Sequence, residues 1–353
     1  MKLLIINPGS TSTKIGLFEE DKELFSKNLQ HDMAELAQFK ELTDQYDFRK
    51  EAILNFLKET GVEAGELAAV VGRGGLVKPL AGGTYTINEA MKRDLHKGLQ
   101  GIHASNLGGL IADEIAQTIG KPSFVVDPVV VDELDDVARL SGHPLLKRRS
   151  IFHALNQKAM ARQYCREHNV KYTDVNLIVA HLGGGISVGI HHKGKVVDVN
   201  NALDGEGPFS PERSGGLPAG DLARLSFSGS YSLKEIQTMI TGKGGMVAYF
   251  NNNNIRELEE QALAGNNEIK TAIDAMAYQV AKEIGAMAAV VNGKVDAIIL
   301  TGGIAHSKYI TGGITEKVKF IAPVVVQAGE DELRALAQGA VRVLKGEEEA
   351  KIY

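Results

Sequence analysis

A short loop near the start of the chain contains several residues that could bind an anion. It lies between two apolar segments and reads Asn7-Pro8-Gly9-Ser10-Thr11-Ser12-Thr13-Lys14. Gly9 lets the backbone approach a phosphate, and Ser10 and Ser12 can donate hydroxyl protons. Lys14 adds a positive charge. An ordinary polar hairpin loop is the alternative. The spacing is not that of a Walker A loop, and no Gly-x-Gly-x-x-Gly follows a strand, which argues against a dinucleotide fold.

Two further glycine-rich turns follow apolar segments. The first is His181-Leu182-Gly183-Gly184-Gly185-Ile186-Ser187. Three consecutive glycines suit a backbone that touches a large anionic ligand, such as a nucleoside triphosphate. The second contains Gly302 and Gly303 and ends a predicted strand just before a predicted helix, which is where ligands bind in α/β sheets. A hydrogen-bonded core histidine and a simple strand-to-helix turn are the alternatives.

Four more polar residues complete the candidate set. Arg73 lies between glycines, and Arg213 is followed closely by Gly215 and Gly216. Arginines with such neighbours can reach a phosphoryl group without steric crowding. Asp127 and His153 each follow an apolar segment. Each of the four could instead be an ordinary surface group.

Composition and charge exclude several classes of protein. The 353 residues include 39 basic and 44 acidic side chains, for a net charge of -5. A nucleic-acid or anionic-membrane binder would need a basic surplus. A single cysteine, Cys165, rules out an intramolecular disulfide. We identify no signal peptide and no membrane-spanning segment, and we expect a cytoplasmic protein.

Short apolar runs alternate with amphipathic segments, which predicts an α/β chain. The predicted strands span residues 2–6, 15–18, 68–71, 123–126, 177–180, 186–191, 296–300 and 323–326. The predicted helices span residues 48–60, 90–98, 107–119, 155–168, 233–240, 271–291 and 332–344.

A weak internal repeat predicts two related domains. Leu3–Phe18 and Leu177–His192 each read as an apolar strand, a small-residue turn and a second apolar strand. Chance similarity between two glycine-rich hairpins is the alternative. The basic, turn-rich segment 142–150 is a plausible crossing point. We therefore predict an N-terminal domain over residues 1–150 and a C-terminal domain over residues 151–331.

These motifs resemble the acetate and butyrate kinase family, within the larger group of sugar kinases, Hsp70 and actin-like ATPases. The loop 7–14 matches the first signature of the family throughout, and residues 181–194 are similar to the second, with Ile190 where a smaller residue is usual. The resemblance implies two ribonuclease H-like (actin-like ATPase) domains with a nucleotide cleft between them. It also implies that the C-terminal segment 332–353 completes the first domain, and that the protein forms a homodimer or a larger homo-oligomer.

The resemblance also implies roles for individual residues, with ATP/ADP and Mg²⁺ as cofactors. The implied catalytic residues are Arg73, Asp127, His153, His181 and Arg213. The implied nucleotide- and phosphate-binding residues are Asn7, Ser10, Ser12, Lys14, Gly183, Gly184, Gly185, Arg256, Gly302 and Gly303. Arg256 and Asn254 resemble a pair that reads the adenine. The implied metal ligands are Asn7 and the acidic segment 330–332, with Glu330 and Glu332 as candidates.

The predicted reaction transfers the γ-phosphoryl group of ATP to a short-chain carboxylate, with butyrate as the first choice. A carboxylate is already ionised at neutral pH, so it needs no general base. Catalysis then depends on positioning and electrostatics, which suits the arginines, histidines and loop amides of the candidate set. Acetate, propionate and branched-chain acids are alternative substrates. An actin-like nucleotide-binding assembly protein is the alternative from another class.

Overall fold

The computed structural model describes the chain from Met1 to Tyr353, apart from the side chain of Met33. Its strands are β1 (Lys2–Pro8), β2 (Ser12–Glu19), β3 (Lys22–Gln30), β4 (Leu67–Gly72), β5 (Thr84–Thr86), β6 (Ser123–Val126), β7 (Asn176–Leu182), β8 (Ile186–His192), β9 (Lys195–Val199), β10 (Ala297–Gly302), β11 (Val324–Ala328) and β12 (Lys351–Ile352). Its helices are α1 (Met33–Leu36), α2 (Tyr46–Glu59), α3 (Glu89–Lys97), α4 (Ser105–Thr118), α5 (Ala154–Glu167), α6 (Ala219–Ser226), α7 (Leu233–Thr241), α8 (Gly245–Phe250), α9 (Ile255–Leu263), α10 (Asn267–Val290), α11 (Lys308–Val318) and α12 (Glu332–Leu344). Within this described part of the chain, none of the helices is long and apolar enough to cross a lipid bilayer.

The chain folds as two compact units. Unit 1 comprises Met1–Val131 together with Asp331–Tyr353, and unit 2 comprises Asp132–Glu330. The backbone therefore leaves unit 1 after Val131, forms all of unit 2 and then returns to unit 1.

The segment 132–150 folds with unit 2, although the sequence pattern placed it in the N-terminal domain. The Asp135 amide donates to the carbonyl of Val197 in β9 (2.9 Å). Glu133 forms an ion pair (2.8 Å) with Lys158 of α5, whose side chain is almost fully buried. The boundary between the units thus lies at Val131 and Asp132 rather than at residue 150.

Unit 1 is built on a seven-stranded sheet with the order β12-β5-β6-β4-β1-β2-β3. The interior strand β1 reads as a continuous apolar run, because Leu3 to Ile6 are buried on both faces. Helix α12 packs against β1, β2, β4 and β6. Helix α4 packs against β4 so closely that a Cβ atom on Gly72 would overlap the backbone of Gly108.

Unit 2 is built on a five-stranded sheet with the order β11-β10-β7-β8-β9. The side chains of β7 alternate between two apolar clusters. Ile178, Ala180 and Leu182 join the cluster formed with α9, α10 and α11. Leu177 and Val179 join a smaller cluster with Ala161 and Cys165 of α5. Both faces of the strand are therefore covered, as the apolar pattern predicts.

The two predicted hairpins occupy equivalent places in the two sheets. In each sheet an antiparallel pair, β1–β2 or β7–β8, has a parallel strand beside its first member and an antiparallel strand beside its second. Asn7 pairs with Lys14 at the end of the first hairpin, and His181 pairs with Ser187 at the end of the second. The same local topology thus positions the two polar turns.

Candidate functional site

The loop between β1 and β2 forms part of a small pocket in unit 1. The Gly9 amide donates to the carbonyl of Ser12 (2.8 Å), which tightens the turn. The pocket has a volume of about 240 Å³ and is lined by Asn7, Pro8, Gly9, Ser12, Lys14, Arg73, His103, Ser105 and Glu332. Ser10, a predicted phosphate-binding residue, is exposed and does not line this pocket. We call this cavity the unit 1 pocket.

A buried arginine that the sequence pattern did not single out fastens this loop. The side chain of Arg49, in α2, has no exposed surface. Its five N–H groups donate to neutral oxygens, namely the carbonyls of Ser10 and Ser12, the Thr13 hydroxyl and, twice, the Gln45 amide oxygen. Burial lowers the pKa of Arg49 to about 10, so the group is still charged at neutral pH. Its charge stabilises the loop and increases the positive potential beneath it.

Arg73 lies in the unit 1 pocket because its backbone continues the sheet. Its amide donates to the carbonyl of Ile6 (2.8 Å), which brings residue 73 beside Asn7. The Arg73 guanidinium forms an ion pair with the Glu332 carboxylate. The Asn7 amide nitrogen donates to the other oxygen of that carboxylate (2.6 Å). Three of the predicted site residues therefore meet around one carboxylate.

The acidic segment 330–332 directs its three side chains to three different partners. Asp331 caps α12, accepting from the Arg334 amide (3.0 Å). Glu332 contacts Asn7 and Arg73 in unit 1, as described above. Glu330 belongs to unit 2, where its carboxylate lies 3.6 Å from Nε2 of His181. Of these three residues, Asp331 has a structural role as a helix cap, whereas Glu330 and Glu332 each contact a predicted site residue.

His103 also lines the unit 1 pocket, and it was not among the predicted site residues. Its Nδ1 lies 2.9 Å from the Ser105 hydroxyl, at the start of α4. Burial, with the nearby positive charges of Arg73 and Arg49, lowers the pKa of His103 below its usual range. The only signal in the sequence is its place in a short polar turn before a helix.

Asp127 lies outside the unit 1 pocket and makes a backbone clamp. The backbone φ angle of Asp127 is 37°, in the left-handed region, and its side chain is buried. One carboxylate oxygen accepts from the Gly83 amide (2.6 Å), and its own amide donates to the Gly83 carbonyl (3.0 Å). The described contacts of Asp127 therefore hold the turn before β5.

The glycine turn between β7 and β8 is held by the segment 210–213. The Ser210 hydroxyl donates to the Gly184 carbonyl (2.6 Å). The guanidinium of Arg213 lies against Gly185, where a Cβ atom would overlap it, and Nη1 donates to the Ala202 carbonyl (2.7 Å). Its Nε is buried and has no hydrogen-bond partner among the described residues. Burial lowers the pKa of Arg213, although Glu212 partly opposes this.

His153 and His181 form a stacked pair in unit 2. Their ring centroids are 3.9 Å apart and their planes differ by 13°. Nδ1 of His181 lies 2.8 Å from the amide oxygen of Asn156, and Nδ1 of His153 lies 2.9 Å from the Ser187 hydroxyl. The two predicted histidines are thus brought together, each with one ring nitrogen held by a neutral partner.

A larger open pocket in unit 2 contains four of the ten predicted nucleotide- and phosphate-binding residues. It has a volume of about 1160 Å³ and includes Gly183, Gly184, Asn254, Arg256, Gly303 and Glu330 in its lining. Asn254 also caps α9 through the Glu257 amide (3.3 Å). Gly302 does not line this pocket. Its φ is 89°, and a Cβ atom there would overlap the backbone of Leu182, so Gly302 is required by packing between β10 and β7.

Comparison with known proteins identifies the family. The Acetokinase family model matches residues 136–332. "Butyrate kinase 2" of Clostridium acetobutylicum is 58% identical over 352 residues, covering 100% of this chain and 99% of the relative. The chain belongs to the acetokinase family. A second relative in this family, "Butyrate kinase 1" of the same organism, is 56% identical with the same coverage.

Solved structures of the acetokinase family share the fold. An acetate kinase from Porphyromonas gingivalis superposes with a TM-score of 0.80 at 21% identity, covering 97% of this chain and 99% of that one. A propionate kinase from Francisella tularensis gives a TM-score of 0.73 at 20% identity, covering 96% and 98%. The predicted family and the predicted actin-like ATPase fold are confirmed.

Proposed function

We propose that this chain transfers the γ-phosphoryl group of ATP to a short-chain carboxylate, with butyrate as the preferred acid. A carboxylate oxygen forms a bond to phosphorus, the bond between phosphorus and the β–γ bridging oxygen breaks, and ADP leaves with the electron pair. The products are an acyl phosphate and ADP, and the reaction is reversible. The observation that carries this proposal is the full-length similarity to relatives named butyrate kinase.

Arg73 is the group that we assign to the substrate carboxylate. Arg73 pairs with the Glu332 carboxylate, so a carboxylate fits against its guanidinium. A planar guanidinium binds a carboxylate through two parallel hydrogen bonds. Because the bound acid is already ionised, no residue is needed to remove a proton from it.

Arg213, His153 and His181 are the groups that we assign to the transferring phosphoryl group. Arg213 is buried, and its Nε has no hydrogen-bond partner among the described residues. A donor in a site of low dielectric stabilises developing negative charge strongly. His181 lies near the end of the β7–β8 hairpin that carries the glycine turn, and His153 stacks on its ring. Gly183, Gly184, Gly303 and Arg256 line the unit 2 pocket, to which we assign the nucleotide.

The carboxylates of the acidic segment are suitable ligands for a Mg²⁺ ion that is bound together with nucleotide phosphates. Mg²⁺ usually takes one or two carboxylates, water and substrate phosphates rather than a closed protein cage. No cluster of three metal-ligating His, Cys, Asp or Glu side chains occurs among the described residues. Glu332 offers a carboxylate that accepts from the Asn7 amide nitrogen, and the Asn7 amide oxygen is a second candidate ligand. Glu330, in unit 2, is a separate carboxylate candidate. The metal would neutralise negative charge on the phosphates.

Hydroxamate trapping of acyl phosphates tests the proposed function. Acetate, propionate, butyrate and isobutyrate are each supplied with ATP and Mg²⁺, and the trapped product is measured. We expect the highest kcat/KM with butyrate. ATP hydrolysis that ignores added acids, with assembly into filaments, would instead support an actin-like assembly protein. A cytoplasmic location and a homo-oligomeric state stay predictions.

A further inference from the structure

A continuous chain of hydrogen bonds runs through unit 2 from His153 to Tyr172. Nδ1 of His153 contacts the Ser187 hydroxyl (2.9 Å). The amide nitrogen of Gln157 contacts the same hydroxyl (2.8 Å) and the Ser187 carbonyl (3.1 Å). The amide oxygen of Gln157 contacts Nε2 of His191 (3.0 Å). Nδ1 of His191 contacts the Tyr172 hydroxyl (2.7 Å).

The backbone carbonyl of Ser187 fixes the direction of this chain. A carbonyl oxygen can only accept, so the Gln157 atom beside it must be the NH₂ group. The second proton of that NH₂ group is donated to the Ser187 hydroxyl oxygen. The hydroxyl that accepts from Gln157 keeps its own proton to donate, and Nδ1 of His153, 2.9 Å away, is the acceptor that we assign to it. A neutral imidazole that accepts at Nδ1 carries its proton on Nε2.

The other half of the chain agrees with this direction. With its nitrogen used at Ser187, Gln157 presents its oxygen to His191, so Nε2 of His191 must donate. Burial, with the positive charges of Lys158 and Arg162, holds the pKa of His191 well below its usual range, so the ring is neutral. Its Nδ1 therefore accepts from Tyr172. The contacts of the Gln157 amide nitrogen with Ser187 and of its oxygen with His191 therefore agree with the same orientation of the amide.

The backbone of β8 leaves room for the Gln157 amide. A Cβ atom on Gly189 would lie 2.7 Å from the Gln157 amide oxygen, closer than real contacts allow. Gln157 and Ser187 have no exposed surface, so water does not compete for their hydrogen bonds. A glycine is thus needed at position 189 so that the Gln157 side chain can lie against β8.

We propose that Gln157 and Ser187 are positioning residues that hold His153 in its Nε2–H tautomer. This inference rests on the proposed function, in which His153 stabilises a phosphoryl group. Phosphoryl oxygens only accept hydrogen bonds. The Nε2–H tautomer supplies a donor on the side of the ring away from Ser187, whereas the Nδ1–H tautomer would present a lone pair there.

Histidine-selective ¹⁵N labelling and NMR of the ligand-free protein test the tautomer directly. The His153 resonances are assigned from a His153→Gln spectrum. We expect His153 to show a protonated Nε2 and an unprotonated Nδ1 near pH 7.5. A predominantly Nδ1–H ring in the unchanged protein would overturn the proposal, whatever reaction the protein catalyses.

Variants of the two positioning residues test the cause. Gln157→Glu has nearly the same shape, and its ionised form only accepts. In that form the Ser187 hydroxyl should turn toward it and His153 should shift to the Nδ1–H form. Ser187→Ala removes the donor and should give a mixture of His153 tautomers. This variant provides the test if Gln157→Glu does not fold. We expect kcat to fall about tenfold or more in both, with a smaller change in the KM for ATP. Unchanged His153 tautomers in both folded variants would overturn the proposal.

Tyr172→Phe is the matched control. It lies at the far end of the same chain, and the Ser187 carbonyl, not Tyr172, sets the direction at His153. We expect the His191 resonances to move, while the His153 tautomer and kcat stay near their original values. If His153 has the expected tautomer and responds to the variants but no carboxylate is phosphorylated, the proposed function fails and the positioning role stands. A His153 tautomer lost in Tyr172→Phe would contradict the role of the Ser187 carbonyl.

Discussion

The guanidinium of Arg213 lies against the backbone of Gly185, where any side chain would overlap its Nη1. The third glycine of the turn is therefore explained by an arginine that comes 28 residues later in the sequence (213 − 185). The absence of a side chain at Gly185 is therefore what allows the Arg213 guanidinium to take its place beside the glycine turn.

Gly185→Ala should reproduce much of the defect of Arg213→Ala. The added methyl group must displace the guanidinium from its position, while Arg213→Ala removes it. For Arg213→Ala we expect kcat to fall by about 10³ or more, the effect of losing an arginine that stabilises a phosphoryl transition state. Steady-state kinetics with butyrate, ATP and Mg²⁺ measures both variants.

Gly285→Ala provides the control for adding a methyl group to a glycine in unit 2. A Cβ atom there meets no other atom within 4 Å, and Gly285 lies inside α10. We expect unchanged kinetics and a free energy of unfolding higher by roughly 0.5–1 kcal/mol. Near-normal turnover in Gly185→Ala would refute the coupling between this glycine and Arg213.

Arg49→Lys should destabilise unit 1 despite keeping the charge. An ammonium group has three donors and cannot reach the four acceptors that the planar guanidinium bridges. We expect the free energy of unfolding to fall by about 3 kcal/mol or more, because buried loop carbonyls lose their partners. Urea unfolding measures the change. Arg93→Lys, at an exposed position of α3, is the matched control and should change stability by less than about 0.5 kcal/mol; equal effects at both positions would contradict the fastening role of Arg49.

Glu332→Gln and Asp331→Ala should separate a metal ligand from a helix cap. Glu332 contacts Asn7 and Arg73, so its neutral form should raise the Mg²⁺ concentration for half-maximal rate several-fold. Asp331 caps α12, so its loss should cost about 1 kcal/mol of stability with little effect on the metal requirement. Metal titrations and urea unfolding of each variant distinguish the two effects. The reverse pattern would move the metal assignment to Asp331.

Stability should increase as the pH rises from about 5 to 7. His103 and His191 have pKa values lowered chiefly by burial, whereas an unfolded histidine titrates near 6.5. Between the folded and unfolded pKa values the unfolded chain binds more protons, so acidification favours unfolding. Urea unfolding at several pH values measures the slope. His191→Phe should have a shallower slope than the unchanged protein, and an unaltered slope would show that burial of His191 does not contribute.

Secondary structure with strong patterning is predictable from this sequence. Strand β6 and helix α12 have the predicted bounds, 123–126 and 332–344. Strand β3 is not predicted, because most of its side chains are exposed and its polar residues do not alternate with apolar ones. The predicted domain boundary fails for a related reason. The turn-rich segment before residue 150 looks like a linker, but its attachment to unit 2 depends on single contacts such as Glu133 with Lys158.

The candidate site is predictable where a motif is local and unpredictable where it depends on distant partners. The glycine turns and their flanking residues are visible in the sequence. Arg49 is not, because a charged residue in an amphipathic helix is normally read as a surface group. Nor does any pattern join Gln157 to Ser187 and His191, since these residues meet only after α5 packs beside β7 and β8. Folding, not spacing, creates these contacts.

The return of the chain to unit 1 has a consequence for biosynthesis. Lys351 of β12 pairs with Tyr85 of β5, and α12 covers strands that are translated long before it. When translation reaches Glu330, all of unit 2 has been synthesised, but the strands of Met1–Val131 still lack α12 and β12. Such long-range closure is slow, so Met1–Val131 is the part that we expect to need protection by chaperones until α12 and β12 have been synthesised.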